Sequence, residues 1–258
     1  MPVLPLLRQL LPSTPAPTPA PTPAKPWEEL APLIAAASTT VALPSIAFTP
    51  GSVRAEVVTE LLPEPVPFLE KASAFVLCVL GEAKDPPIRA VALRLSEGEG
   101  IAVTSGGVVT LFLPYFAQHR RTHSADEAAR ELLGVLLHEL VHVYQHDGRG
   151  GMPGGVIEGV ADFVRLRGGL GAPHWCRRRG GVWDAGYERT GYFLDWVEGR
   201  WPGFVRVLNG ESRTGWDAAV FRVVTGQAVD ALWERYQAEL PEVEVGGGAA
   251  PARPTEAG

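Results

Sequence analysis

A chain of 258 residues, 46% of them hydrophobic, can build one catalytic core with tails or two small domains. Its net charge of −6 argues against general binding to nucleic acid or to an anionic membrane surface. The two cysteines, Cys78 and Cys176, cannot make a disulfide framework, and no stretch reaches the ~18 apolar residues of a membrane span.

The first residues are apolar but lack a basic leading region and are interrupted by Arg8, Pro2 and Pro5. They match a signal peptide poorly, so the expected compartment is cytoplasmic. Residues 12–26, PSTPAPTPAPTPAKP, read as an extended, solvated linker. With 1–26 set aside as a Pro-rich segment and 243–258 as a disordered tail, the domain is 27–242. A strand is expected within 39–48. A helix capped by Ser52 follows over Val53 to Leu62, ended by Pro63, and a second helix runs from Pro67 to Gly81. The period then changes. Ile88 to Leu95 alternates as a half-buried strand does, and two more strands, Ile101 to Thr104 and Val108 to Leu113, flank a turn at Ser105-Gly106-Gly107. Such a meander would offer a wall against which an extended peptide could pair. Gln118 to His123 reads as a polar loop. His119 and His123 are four residues apart, but they lie among arginines without a helical apolar face, which disfavours them as ligands. Ser124-Ala-Asp-Glu127 is a capping box. The helix it opens, Ala125 to about His146, is apolar on most sides and therefore buried and central.

That helix carries His138-Glu139-Leu-Val-His142. Residues i and i+4 share a helix face, so the two imidazoles can aim at one zinc ion. Glu139 can reach a water on that ion without ligating it. A catalytic zinc needs a third protein ligand. His146 is eight residues from His138, about 12 Å along the axis at ~1.5 Å per residue, and is expected to cap the helix end instead. The metzincin extension is absent, because Gln145 and Gly148 stand where its Gly and His would be. The remaining candidate is Glu158 in Val156-Ile157-Glu158-Gly159-Val160-Ala161-Asp162-Phe163. One turn separates Glu158 from Asp162, so Glu158 can bind the metal while Asp162 takes the free N–H of a ligand histidine. Gly159 and Ala161 are small, which would let the two helices approach closely.

The run HELVH, then GGVIEGVADFVRL, then APHW, then WDAGY with the downstream FLDW, resembles the plant basic secretory protein family, peptidases with a gluzincin-like motif plus a downstream glutamate. The similarity covers about 85 to 240 and extends more weakly over 45 to 85. It implies an α+β, zincin-like metallopeptidase fold, mainly helical with a small sheet before the H-E-x-x-H helix. It also implies a Zn2+ cofactor on His138, His142 and Glu158, with Glu139 catalytic. This chain is acidic, so the fold carries over and the compartment does not. A third helix is expected from Trp183 to Trp196. On it Tyr187 could give its phenol to the oxyanion or pack beneath the metal helices, and His174 is the other oxyanion candidate. Phe204 to Asn209, Trp216 to Val224 and Val229 to Leu240 read as further helices. The expected activity is peptide hydrolysis with Glu139 as general base and a peptide or protein as substrate, without nucleic acid or membrane partners. No motif speaks to oligomeric state. The rival readings are a zinc-stabilised binding module without catalysis and a scaffold acting through its Pro-rich segment.

Overall fold

Four short strands supply the sheet of the computed structural model, which describes residues 41–49 and 54–241: β1 Ser45–Thr49, β2 Ala90–Ser96, β3 Ala102–Ser105 and β4 Val108–Phe112. In β2 the alternation works as read, with Val91, Leu93 and Leu95 buried and Arg94 exposed. The spatial order is β1-β2-β4-β3, parallel from β1 to β4 and antiparallel between β4 and β3. The expected meander is therefore corrected: β4 lies between β2 and β3. Two features account for this. Val109 and Leu111 of β4 are wholly buried, whereas β3 alternates half-buried and exposed residues and suits an edge. Gly107 also lets β4 start tight against β2, since a Cβ there would lie 2.4 Å from the Ala90 carbonyl oxygen.

Among the described residues nine helices surround this sheet. The crossover from β1 to β2 carries α1 Glu56–Leu61 and α2 Pro65–Leu80. The Ser52 cap expected for α1 lies outside the described residues, as do segments 1–26 and 243–258. α2 ends at Gly81, whose φ of +82° is the left-handed cap that glycine adopts without strain. The segment Gln118 to His123 is not a loop. Gln118 to Thr122 form the second half of α3, Leu113–Thr122, and His123 is its extended C-cap. Leu113 and Phe116 are buried and anchor the first turn, and His119, Arg120 and Arg121 sit where a helix C-terminus favours cations.

α4, Ala125–Tyr144, is the central element. It packs against α2, β3 and β4 on one side and against α5, Gly154–Arg167, on the other. Leu132, Leu133, Leu136, Leu137, Leu140 and Val141 are fully buried, at roughly 1.5–3 kcal/mol for each such side chain. Two positions set how closely the helices approach, and one differs from expectation. Gly159 faces α6, Tyr187–Arg200, where a Cβ would lie 2.2 Å from Thr190 Cγ2. The room between α4 and α5 comes from Gly134, over which the Arg165 guanidinium lies. α6 begins four residues later than expected, because Gly186 at φ +90° caps it and Thr190 Oγ1 takes the Gly186 N–H at 2.9 Å. Three more helices, α7 Phe204–Glu211, α8 Ala219–Thr225 and α9 Val229–Glu239, close the domain through Phe193, Phe221, Trp233 and Tyr236. Among the described residues no helix is long and apolar enough to cross a membrane.

Candidate metal centre

The start of α4 is fixed by its cap. The Ser124 hydroxyl accepts from Glu127 N at 3.2 Å, and Glu127 Oε2 accepts from Ser124 N at 2.9 Å. The rotation that follows turns His138 and His142 toward α5. Their Nε2 atoms are 3.0 Å apart, with the ring planes at 83°. From α5, Glu158 brings Oε2 to 3.1 Å from His138 Nε2 and 3.7 Å from His142 Nε2. These three residues form the one group among the described residues whose atoms could jointly hold a metal ion.

The donor set fits zinc. Bonds of ~2.0–2.1 Å at tetrahedral angles put donor atoms roughly 3.3 Å apart, which the three observed separations bracket. Two imidazoles and a carboxylate are also ligands that zinc takes readily. The outer nitrogens are held as well. His138 Nδ1 donates to Asp162 Oδ1 at 2.7 Å, which leaves its Nε2 to present a lone pair inward. The Gln145 amide lies 2.7 Å from His142 Nδ1. The same contacts favour charge on both His138 and Glu158. Burial opposes a charge on His138, but the hydrogen bonds to Asp162 and Glu158 outweigh it and hold its pKa well above the ordinary imidazole value. Burial likewise pushes the Glu158 carboxyl up, yet the bonds to His138 and His142 hold it far below the usual carboxylate range.

Glu139 is tied to the sheet. It is 7% exposed, and the hydroxyl of Thr104 on β3 donates to its Oε2 at 2.6 Å. His138, Glu139 and Asp162 line a cavity of about 190 Å³ that Tyr187, His174 and Trp175 also line. Tyr187 enters it from a strained backbone, with φ +48° at the first residue of α6. That conformation costs a bulky residue on the order of 1–2 kcal/mol. It persists because Gly186 is wedged against Gly155 of α5.

Three other histidines stand apart. His146 does not cap α4. Its ring is 3.1 Å from Glu82 Oε1, and its backbone N–H is taken by Asn209 Oδ1. His119 and His123 stack face to face at the end of α3. Two contacts went unread in the sequence. Thr104 carries no local signal, because its partner is 35 residues away. Gln145 was within reach, since i+3 from His142 is a neighbouring position on a helix face.

The chain belongs to the BSP family, peptidases of plants and bacteria. The family match covers residues 43–236, from just before β1 into α9, and so includes the segment before 85 where the resemblance to basic secretory proteins was weaker. No curated protein and no solved structure matches the chain. The group that could hold a metal sits on α4 and α5, near the middle of the matched span.

Proposed function

We propose that this BSP protein is a zinc-dependent, gluzincin-like peptidase with a zincin-like fold. The reading rests on one observation: ligand atoms of His138, His142 and Glu158 lie close enough to share one ion, and His138 lines the same cavity as Glu139. Zinc held there would supply Lewis acidity, making water acidic near neutral pH and polarising a carbonyl oxygen. Glu139 takes a proton from the attacking water and later returns it to the leaving amine nitrogen. Asp162 keeps the His138 ring in the tautomer and orientation that ligation needs. Tyr187 and His174 line the same cavity and are the candidates for donating to the oxygen on which charge develops. β3 is an edge of the sheet among the described residues and packs on α4, and an edge strand is where an extended peptide can add itself by backbone pairing.

On this reading the partners are peptides or proteins, and the net charge of −6 speaks against nucleic acid and anionic membranes. The proposed compartment is the cytoplasm. A peptide-library digest of the full chain with and without a chelator, alongside elemental analysis, tests the proposal. About one zinc per chain and cleavage that stops on chelation and returns with zinc are expected. Bound zinc without any cleavage would favour the catalytically silent, zinc-stabilised module.

A further inference from the structure

We infer that Thr104 is a positioning residue for Glu139, fastening one oxygen of the carboxylate so that the other serves as the working base. The inference rests on the peptidase reading. Glu139 lies on the buried central helix, but its side chain is held from the sheet. Thr104 Oγ1 is 2.6 Å from Glu139 Oε2 and 3.1 Å from the Glu139 backbone carbonyl oxygen. The hydroxyl has one hydrogen and two acceptors within reach, and it can itself accept.

While Glu139 is ionised, the Thr104 O–H donates to Oε2. This bond to a charged acceptor fixes the carboxylate plane and leaves Oε1 as the basic oxygen. In the first proton transfer a water O–H bond breaks and an O–H bond forms on Glu139, as the water's electron pair goes to the carbonyl carbon. In the second the Glu139 O–H bond breaks and an N–H bond forms on the leaving amine, which restores the carboxylate.

Thr104 also lies on the edge strand. Val103 and Ser105 on either side of it are exposed, whereas Thr104 is half-buried against α4. Thr104 therefore ties this edge strand to the base.

The test compares Thr104→Val and Thr104→Ser in the full chain loaded with zinc. Losing a hydrogen bond to a charged group lowers kcat roughly tenfold to hundredfold. The expected result for Thr104→Val is such a fall with KM and zinc content unchanged, and Thr104→Ser restores most of the rate. A second readout needs no activity. In a double-mutant cycle with Glu139→Gln, thermal unfolding of the metal-free chain should show non-additive effects of the two substitutions, because they share one contact. A Thr104→Val variant with wild-type kcat, or one that changes KM alone, overturns the inference while zinc-dependent cleavage by the unmodified chain upholds the peptidase reading. Absence of any cleavage by the unmodified chain overturns both.

Discussion

Two histidine pairs at the same spacing end in different places. His138 and His142 stand nearly perpendicular with Nε2 atoms 3.0 Å apart, facing a carboxylate. His119 and His123 lie flat on one another, their ring centroids 3.9 Å apart and their planes within 5°. His123 has already left the helix, with extended backbone at the cap of α3, so its ring swings over its partner instead of beside it. The neighbours differ as well. Asp162 holds the outer nitrogen of His138 and Gln145 that of His142, whereas His123 Nδ1 contacts Thr122 Oγ1 and the His119 carbonyl. Spacing of four residues therefore brings two imidazoles together without making a site. Continuous helix, a carboxylate from a second helix and an acceptor on the outer nitrogen of His138 make the difference.

The comparison breaks most completely at Glu158. Glu158→Ala reduces the first pair to two histidines without a carboxylate, and elemental analysis after dialysis should find the zinc gone. Full retention would remove Glu158 from the ligand set. The next effect separates holding an ion from using it. Glu139→Gln leaves all three ligands in place, so zinc content should match the wild type while peptide hydrolysis falls about 10²–10⁴-fold, the usual worth of a positioned acid–base group. A variant that cleaves at the wild-type rate would take the base role from Glu139.

What could be read without coordinates was the part set by local rules. The i, i+4 relation of His138 and His142, the capping box at Ser124 and the one-turn separation of Glu158 from Asp162 all depend on residues within one helix. Each appears in the structure as read. What could not be read depended on partners far along the chain. β4 inserts between β2 and β3 because Gly107 can approach the Ala90 backbone, which no alternation pattern reports. Gly159, read together with Ala161 as making room between the two helices, is turned by its rotation on α5 to Thr190, and it is Gly134 that lies under the Arg165 guanidinium from α5. His146 found Glu82, 64 residues away, and Thr104 found Glu139 across the sheet edge. Local periodicity gives a side chain its face on an element, and the packing of elements decides what that face meets.

A smaller change sharpens the contrast at the outer nitrogen. Asp162→Asn keeps the size of the side chain but removes the charge that accepts the His138 Nδ1 proton at 2.7 Å. Loss of such an orienting partner typically lowers metal affinity about 10–100-fold. Competition for zinc against a chelator of graded concentration should show that shift, with the fold intact by circular dichroism. An unchanged affinity would mean that the packing of α4 alone orients the ring.

The smallest expected effect lies at the other pair and is read in acid. Burial first, and the neighbouring His123 second, hold the His119 pKa below its ordinary value of 6.5, against an opposing pull from Glu131 and Glu127. The unfolded chain therefore binds a proton at His119 more readily than the folded chain does. The folded state loses stability as pH falls through the ordinary imidazole range and keeps it above that range. His119→Gln removes this contribution while leaving His138, His142 and Glu158 untouched. The variant should carry the same zinc as the wild type, and its thermal midpoint should fall less between about pH 7 and pH 5. If the acid dependence is unchanged, the stacked pair does not resist protonation. If zinc is lost, spacing alone is enough to bind it, and the contrast between the two pairs collapses.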